Sequence, residues 1–461
     1  MLTDIISLLV QKVKDRTARV SVLGLGRVGL PTALIFSSAG FCVFGIDTDA
    51  TKVERLSQGR CDIQEPGLYE ILTNSQRSHR FQVTTRYDPI LETDFVVLCV
   101  PTPVHETKPN LESLQSAMAA VKSHAHRGMV MVIESTVPPS TTSGRIVPQL
   151  EELGFVMDQD IFVAYCPERL SPAHALKEFA ENPRLVGGIG PNSTKLAAAL
   201  LRTVCKEVLS TDVLTAEVAK LAENTFRDVN IAYANFLALV TEHFGGDVSK
   251  VIAMANTHPR VRIHRPGVGV GGPCLTKDPY LLTDGIAEEL TELVRVCRRL
   301  NDEMPNRLTI RLARLLRDNG ISTDSAKIAV LGVSYKPDID DTSSTPAKQI
   351  IENLLKLGVR VCAYDPHTSQ TYGADRAQSV EESLRGADAI VLVTAHSSFK
   401  SISFETMRSL AKPHCILFDG ARVLDPSKAI QAGMMYCGTG FGPVTEPRRY
   451  LHEQEHERKP R

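Results

Sequence analysis

Short apolar runs alternate with helical patterns along the N-terminal part of the chain. The runs are rich in β-branched residues and lie at 20–23, 43–46, 95–100, 130–133 and 161–164. Most of them are separated by segments with the three-and-four spacing of an amphipathic helix. Strands that alternate with helices are typical of a parallel, doubly wound sheet, and we therefore predict one here.

The middle of the chain has a different pattern. Apolar residues recur at helical spacing at Val218, Ala222, Phe226, Val229, Tyr233, Phe236 and Val240. This spacing predicts a long helix over 216–244 that buries the apolar face. A second strand-helix-strand pattern follows at 327–332, 346–357 and 359–364, with further strand-like runs at 389–394 and 415–418.

The sequence thus predicts an α/β protein in which two Rossmann-like doubly wound parallel-sheet domains are joined by a central helical domain. The predicted boundaries are 1–210 for the first sheet domain, 211–318 for the helical domain and 319–445 for the second sheet domain. Residues 446–461 are highly charged and are predicted to form a disordered tail. The first sixteen residues fit an amphipathic helix.

Composition excludes several classes of partner. The 461 residues are 43% hydrophobic and 23% charged, which is ordinary for a globular chain, and the net charge is -1. A neutral chain offers no general field for nucleic acid or an anionic membrane, and its apolar runs are too short to span a bilayer. The ten cysteines are scattered without a C-x-x-C pair, which favours a reducing compartment and predicts a cytoplasmic protein.

A glycine-rich loop follows the first predicted strand. Gly24, Gly26 and Gly29 fit the G-x-G-x-x-G pattern between a strand and a helix, where backbone N–H groups can bind a pyrophosphate. Asp47 ends the next strand and can accept hydrogen bonds from a ribose, which favours NAD over NADP. Arg55 keeps NADP open as an alternative, and the plain structural alternative is a tight turn without a ligand.

A second glycine-rich loop, over 264–279, contains Cys274. The cysteine lies just before a predicted helix start, with Asp278 as the expected N-cap and Pro279 as the first helical residue. A thiol in an open loop near the positive end of a helix dipole is suited to act as a nucleophile. A buried loop cysteine that only fills space is the alternative interpretation.

The motifs in both loops, together with several others, resemble one known family. The others lie at 62–68, 100–103, 134–138, 165–169, 216–224 and 332–341. In this order they resemble the UDP-glucose/GDP-mannose dehydrogenases, the nucleotide-sugar 6-dehydrogenases, from about residue 19 to residue 442. The segments at 166–169 and 265–272 are most similar to the branch that oxidises UDP-N-acetylhexosamines, either UDP-ManNAc or UDP-GlcNAc.

The resemblance implies a four-electron oxidation of a C6 alcohol to a uronic acid with two NAD+. In this chemistry Cys274 holds the aldehyde as a thiohemiacetal and then as a thioester. Its implied catalytic partners are Lys220 and Asn224 at the oxyanion, Asp278 and Glu168 as acids or bases, and Thr136, which positions water. UDP-glucose oxidation, a two-electron hydroxyacid-type dehydrogenase and a non-catalytic nucleotide-sugar-binding protein are the alternatives.

The resemblance also implies the binding residues. The cofactor would contact Gly24, Gly26, Arg27, Val28, Gly29, Asp47, Pro101, Thr102 and Thr136. The UDP-sugar would contact Glu168, Arg169, Leu170, Lys220, Asn224, Arg260, Gly271 and Lys336. Without the resemblance, Lys220 and Asn224 would be interpreted as solvated side chains. A homodimer or higher homo-oligomer is implied, with no nucleic acid or membrane partner. The resemblance also implies that the helical domain, 211–318, forms much of the dimer interface and that the domain at 319–445 binds the UDP-sugar; the apolar face over 216–244 supports the dimer.

The sequence departs from the family pattern in places. Ser343 stands where the family usually has an arginine, and Pro273 replaces a histidine before the cysteine. The first change puts a cofactor contact across the dimer in doubt, and the second stiffens the backbone before the nucleophile. No metal site is predicted, because the H-E-x-x-H match at 452–456 lies in the charged tail without an evident third ligand.

Overall fold

The computed structural model describes residues 2–444, which form two compact units. Within the described residues, the N-terminal unit combines residues 2–223 with Lys277–Ile286, and the C-terminal unit combines Asn224–Thr276 with residues 287–444. One long helix, Val213–His243, runs from the first unit into the second. Residues 445–461 lie outside the described part of the chain, and with them the predicted tail and its H-E-x-x-H match.

The helices follow the chain in this order. They are α1 Leu2–Lys14, α2 Gly29–Ser38, α3 Ala50–Ser57, α4 Leu68–Arg77, α5 Glu112–His124, α6 Val147–Glu151, α7 Ala175–Glu181, α8 Pro191–Leu201, α9 Val213–His243, α10 Val248–Ala255, α11 Asp278–Leu282, α12 Glu288–Asp318, α13 Pro346–Lys356, α14 Val380–Leu384, α15 Ser397–Lys400, α16 Phe404–Leu410 and α17 Pro426–Gln431. Among residues 2–444, none of these helices combines the length and the apolarity that crossing a membrane requires.

The strands fall into one large sheet in each unit and one small ribbon. They are β1 Arg19–Leu23, β2 Cys42–Ile46, β3 Phe81–Thr84, β4 Phe95–Leu98, β5 Val104–His105, β6 Lys108–Pro109, β7 Val130–Ile133, β8 Phe162–Tyr165, β9 Arg184–Gly188, β10 Val208–Asp212, β11 Lys327–Leu331, β12 Arg360–Tyr364, β13 Asp375–Arg376, β14 Ala389–Leu392, β15 Ile416–Asp419, β16 Met435–Gly438 and β17 Phe441–Val444. Strands β5 and β6 form the antiparallel ribbon.

The N-terminal sheet has eight strands in the order β10-β9-β8-β7-β4-β1-β2-β3. All neighbours run parallel except β8 and β9, which pair antiparallel. Along the central strand β4, Phe95 and Val97 pack into one apolar layer while Val96 and Leu98 pack into the other. A strand buried on both faces needs apolar residues at every position, and this explains why such strands were readable from sequence. The α/β prediction is confirmed.

The C-terminal sheet repeats this design with seven strands in the order β13-β12-β11-β14-β15-β16-β17. Its strands are parallel except for the antiparallel pair β16–β17 at the edge. On β11, Ile328 and Val330 face one apolar layer, and Ala329 and Leu331 face the other. The carboxyl ends of parallel strands share one edge, so the loops after β11, β12 and β14 come together there.

Within the single chain, the apolar face of the long helix is not the buried one, contrary to the prediction. Helix α9 exists, but Phe226 is 61% exposed and Tyr233 and Phe236 are each 50% exposed. The polar face is the buried one, because its charged groups pair inside the chain: Asp228 accepts a 2.6 Å hydrogen bond from Arg298 of α12. Residues that find buried polar partners can occupy the interior, and this leaves the apolar stripe facing outward.

Two local predictions around the cysteine loop also need correction. Asp278 is the first residue of α11 rather than its N-cap, because Lys277 holds the cap position. The helix predicted to start there is short, since α11 ends at Leu282 and the next helix, α12, begins at Glu288. Gly285, with φ of +74°, lies in the break, and this left-handed conformation does not fit a continuous helix.

Candidate active site and nucleotide cradle

The loop after β1 has the shape that a dinucleotide requires. Gly24 has φ of +90°, and a Cβ there would lie 2.5 Å from the Cys99 carbonyl oxygen. A Cβ on Gly29 would lie 1.8 Å from the Gly24 carbonyl oxygen, whereas nothing lies within 4 Å of one on Gly26. The outer glycines therefore permit close packing, and Gly26 leaves the backbone open to an approaching pyrophosphate. The residues present fit NAD.

Two further loop residues were predicted to contact the cofactor. Val28 directly precedes α2, and Arg27 is exposed beside it. Both lie at the N-terminal end of α2, where the first N–H groups of the helix lack helical partners and can bind an anion.

Asp47 follows β2 and is held at the edge of the cradle. Its carboxylate accepts hydrogen bonds from Leu25 N at 2.8 Å, from Asp49 N at 3.0 Å and from Lys52 Nζ at 2.8 Å. Burial pushes the pKa of Asp47 upward, but the bonds from Lys52 and the two backbone N–H groups outweigh it and leave the pKa below the usual value. An ionised, oriented carboxylate suits a ribose hydroxyl. Arg55, the residue that kept NADP open as an alternative, forms an ion pair with Asp62 at 2.5 Å.

The loops after β4 and β7 are fastened to each other. Thr102 donates to the Thr136 carbonyl oxygen at 2.5 Å, and Ser135 donates to the Val100 carbonyl oxygen at 2.8 Å. Thr102 is buried and Pro101 is exposed. Strands β4 and β7 are sheet neighbours, so the predicted cofactor residues Pro101, Thr102 and Thr136 share one edge.

The strongest chemical feature is a buried ion pair. Lys220 Nζ of α9 lies 2.8 Å from Glu168 Oε1, and both residues are buried. The second oxygen of Glu168 accepts the Leu170 N–H at 2.7 Å. Burial acts to raise the pKa of Glu168, but the Lys220 ammonium and the Leu170 bond lower it overall. The interpretation of Lys220 as a solvated side chain is therefore wrong, and the structure brings three predicted site residues together.

Other predicted residues of the N-terminal unit have partners of their own. Arg169 pairs with Glu223 at 2.6 Å and donates to the Pro183 carbonyl oxygen at 2.7 Å, so its guanidinium is already engaged. Asp278 is fully buried at the start of α11, with Lys277 Nζ 2.6 Å away.

In the C-terminal unit the cysteine loop lies against the loop that follows β11. The N–H of Gly272 donates to the Ser343 carbonyl oxygen at 2.9 Å. A Cβ on Gly271 would lie 2.8 Å from the Cβ of Tyr335, so the two loops pack closely there. Gly272 directly precedes Pro273, so this bond brings two positions that depart from the family pattern, Pro273 and Ser343, close together. Cys274 itself is half-buried.

The remaining predicted substrate residues of this unit differ in exposure. Asn224 is buried one turn beyond Lys220 on α9, which corrects its interpretation as a solvated side chain. Lys336 is half-buried in the loop after β11, and Arg260 is exposed.

The loop after β12 contains an acid, Asp365, that is surrounded by donors. Its carboxylate accepts from the N–H groups of Val333, Ser334, His367 and Thr368, from the Ser334 hydroxyl and from His396 Nε2. Asp47 accepts three hydrogen bonds from the chain and Asp365 accepts six, so we assign Asp365 a structural task.

One group of side chains in the C-terminal unit has ligand-like atoms. Single ligand atoms of Asp338, His367 and His396 lie within 4.8 Å of one another. His396 Nδ1 already accepts the Asp338 N–H at 2.9 Å, and its Nε2 lies 2.9 Å from Asp365. Since both ring nitrogens are used, we assign this group to the support of the loop rather than to a metal.

Sequence reasoning missed two buried charged residues in the N-terminal unit. Arg184 of β9 forms a buried ion pair with Glu134, and Glu134 also accepts hydrogen bonds from Thr32 and Cys99 at 3.0 Å. Glu217 of α9 is fully buried and accepts backbone N–H groups near the Thr136 loop. The available signal was charge in otherwise apolar surroundings, but strand β9, which lies between β10 and β8, was not itself predicted.

A glycine cradle at the carboxyl edge of a parallel sheet, with a buried lysine–glutamate pair at the same edge, defines a dinucleotide-dependent oxidoreductase. Comparison with known families agrees. Residues 18–208 match the NAD binding domain of the UDP-glucose/GDP-mannose dehydrogenase family, residues 214–303 match its central domain, and residues 329–426 match its UDP binding domain. The chain belongs to this family and is an NAD-dependent nucleotide-sugar dehydrogenase.

Individual relatives cover nearly the whole chain. A UDP-N-acetyl-D-mannosamine dehydrogenase of Pyrococcus horikoshii is 39% identical over 428 residues, 92% of this chain and 100% of that protein. An NDP-N-acetyl-D-galactosaminuronic acid dehydrogenase of Ralstonia nicotianae is 35% identical over 404 residues, 85% of this chain and 93% of that protein. The solved structure of UDP-D-ManNAc dehydrogenase from P. horikoshii matches with a TM-score of 0.86 and 38% identity, over 92% of this chain and 100% of that one.

Proposed function

We propose that this chain oxidises the C6 hydroxyl of a UDP-N-acetylhexosamine to the uronic acid, through covalent intermediates on Cys274. The observation that carries this proposal is the buried Lys220–Glu168 pair at the sheet edge of the NAD cradle. Burying two charges costs free energy, and such pairs are concentrated at functional sites. The names of the relatives from P. horikoshii and R. nicotianae support an N-acetylated sugar, with UDP-ManNAc as the first candidate.

The chemistry divides among the chain's own groups. NAD+, when bound, accepts one hydride in each of the two oxidations. Lys220 donates a hydrogen bond to the C6 oxygen as negative charge develops on it, and Glu168 holds the ammonium of that lysine in place. Asn224, one helical turn further along α9, supplies a second donor to the same oxygen. The alcohol proton passes to a carboxylate at the site.

Cys274 keeps the aldehyde on the enzyme between the two oxidations. Its thiolate adds to the aldehyde carbon, forming a C–S bond and an oxyanion that Lys220 and Asn224 stabilise. Loss of the second hydride from the same carbon leaves a thioester. Water then adds to the thioester carbon, the C–S bond breaks, and the thiolate returns. Asp278 takes the proton from that water, and Thr136 orients the water.

We also infer that the chain forms a homodimer through the apolar stripe of α9. Phe226, Tyr233 and Phe236 are all at least half exposed, and Leu290 and Leu293 of α12 are 73% and 65% exposed in the same unit. Exposed apolar groups of this size on neighbouring helices are unusual for a monomer. A two-fold axis would bring the same stripe of two copies together.

The free thiols support a cytoplasmic location. All ten cysteines are unbridged, and half of them are buried. This usage fits a reducing compartment.

The test is NADH formed per UDP-sugar consumed, measured separately with UDP-ManNAc, UDP-GlcNAc and UDP-glucose and followed by product mass. We expect two NADH and a uronic acid from an N-acetylated substrate. A Cys274→Ala variant should form at most one NADH per sugar and release an aldehyde that a hydrazine traps. One NADH per sugar from the wild type would favour a two-electron dehydrogenase, and exclusive use of UDP-glucose would overturn the substrate class.

A further inference from the structure

A fully buried carboxylate, Glu217, connects the lysine helix to the Thr136 loop. Glu217 lies on α9, three residues before Lys220. Its two oxygens accept different backbone N–H groups: Oε2 accepts from Ser140 at 2.6 Å, and Oε1 accepts from Thr142 at 2.8 Å. One side chain therefore holds two points of a neighbouring segment.

That segment is the second half of the loop that contains Thr136. The first half is fastened by the bond from Thr102 to the Thr136 carbonyl oxygen. The second half passes through Ser140, whose φ of +64° is in the left-handed region that a serine rarely adopts. A strained conformation persists only where its surroundings hold it, and the bond from Ser140 to Glu217 does so here.

The charge of Glu217 and those of two predicted catalytic acids act on the same buried hydroxyl, that of Tyr165. Burial is the first cause of a raised pKa at Tyr165, and the charges of Glu217, Asp278 and Glu168 raise it further. All of these residues belong to the N-terminal unit. Both oxygens of Glu217 are themselves occupied by the backbone N–H groups of Ser140 and Thr142.

We propose that Glu217 is a positioning residue that fixes the Thr136 loop relative to Lys220, and so sets the place of the water that hydrolyses the Cys274 thioester. This inference rests on the proposed function. In the step concerned, water oxygen bonds to the thioester carbon, its proton goes to Asp278, and the C–S bond breaks to release the Cys274 thiolate. Displacing a positioned reactant by about 1 Å can slow such a step by up to about 100-fold.

The test compares Glu217→Gln with a matched control, Asp158→Asn. Asp158 is also a carboxylate of the N-terminal unit that accepts backbone N–H groups at a helix start, those of Asn192 and Ser193. In Glu217→Gln the side-chain carbonyl can accept one of the two backbone N–H groups, but the side-chain NH2 then faces the other. Glu217→Asp, which keeps the charge on a shorter side chain, is the second variant if the first fails to fold.

Slower hydrolysis of the thioester changes the kinetic constants in a pattern that a general destabilisation of the enzyme does not produce. We expect kcat to fall about tenfold or more, KM for the sugar to fall in parallel, and kcat/KM to stay within about twofold, because hydrolysis follows the oxidations. The intact mass of the enzyme should show more sugar adduct on Cys274 during turnover than in the wild type. Hydrogen exchange at Ser140 and Thr142 should also become faster.

Three results would overturn the inference. They are a fall in kcat/KM equal to that in kcat, a kcat loss without extra adduct, and the same kinetic change in Asp158→Asn. A wild-type enzyme that forms neither NADH nor an adduct would instead reject the proposed function, and the hydrolytic role of Glu217 with it. In that case the exchange rates at Ser140 and Thr142 still show whether Glu217 anchors the loop.

Discussion

Asp47 and Asp365 occupy equivalent positions in the two sheets. Each follows the second strand of its sheet and accepts the N–H group two residues beyond the first strand: Leu25 at 2.8 Å for Asp47 and Val333 at 2.7 Å for Asp365. The rest of their surroundings differ, because only Asp365 is also bound by a buried histidine, His396. We therefore expect the same backbone design to serve a ligand in one unit and the stability of the loops in the other.

Asp47→Asn should weaken NAD binding by about tenfold, since the amide loses the charge that favours bonds from ribose hydroxyls. Isothermal titration of NAD measures the change. NADP should be excluded less strongly, because a 2′-phosphate no longer meets a like charge. Asp365→Asn is the matched control, and a comparable loss of NAD affinity there would contradict the assignment.

Asp365→Asn should destabilise the C-terminal unit by about 2–4 kcal/mol at pH 7, because the donors around it are arranged for a carboxylate. Burial acts to raise the pKa of Asp365, but His396 and the backbone N–H groups hold it well below its ordinary 3.8. The ionised form is therefore the stabilised one. Its contribution is complete above pH 3.8 and is lost as the pH falls further.

Hydrogen exchange at the Val333 and Ser334 amides, measured at pH 7 and below pH 3.8, reports this difference locally. The difference in exchange protection at these amides between wild type and Asp365→Asn should be smaller at the lower pH. A gap that widens on acidification would show that Asp365 is not the stabilising anion.

Lys220→Met should lower kcat about 100- to 1000-fold, because it removes a donor to the developing oxyanion. It also leaves Glu168 buried without its partner, and the free energy of unfolding should fall by about 3–5 kcal/mol. The double variant Lys220→Met, Glu168→Gln should recover much of this stability but none of the activity. Urea unfolding and steady-state rates test the two halves of the prediction, and recovery of activity in the double variant would contradict the role of Lys220.

Iodoacetamide should modify Cys274 faster than the buried thiols at a pH of about 7.5. Burial raises the pKa of Cys205 to about 11, and it raises the pKa of Cys166 further, so these thiols form little thiolate at that pH. Peptide mass mapping over time separates the sites. Equal rates at Cys274 and Cys205 would argue against an activated nucleophile in the loop.

Tyr233→Glu should shift the homodimer to monomer, because a charge in the centre of an apolar interface is desolvated without a partner. Light scattering after size exclusion measures the mass. Leu8→Glu, at an apolar position on α1 that is 58% exposed, is the control and should leave the mass unchanged. A wild-type mass of one chain would reject the dimer outright.

The buried strands and the glycine loop could be predicted from sequence because each depends on the residue types within a short segment. A strand covered on both faces needs a continuous apolar run, and 130–133 was predicted with the bounds that the structure has. Strands that contain polar or charged residues could not be predicted in the same way. The edge strand β10 contains Ser210 and Thr211 and is largely exposed, and its inner neighbour β9 contains the buried Arg184.

The contacts of the site residues could not be predicted from sequence, because they join distant parts of the chain. The family motifs named Lys220 and Glu168 as site residues, but no spacing along the sequence tells that they lie 2.8 Å apart. Glu217 was passed over because a glutamate on a helix is ordinarily solvated, and only the fold brings Ser140 to it.

By itself, the sequence determined the alternation of strands and helices, the glycine loop around Gly26 and the family, because each depends on residues close together in the chain. Only the tertiary structure decided which face of α9 is buried. The periodicity of that helix does not tell which face is buried. The polar face is buried because partners such as Glu168 and Arg298, which are distant in sequence, pair with its charges. Without such partners, charged side chains could not be buried in an apolar core.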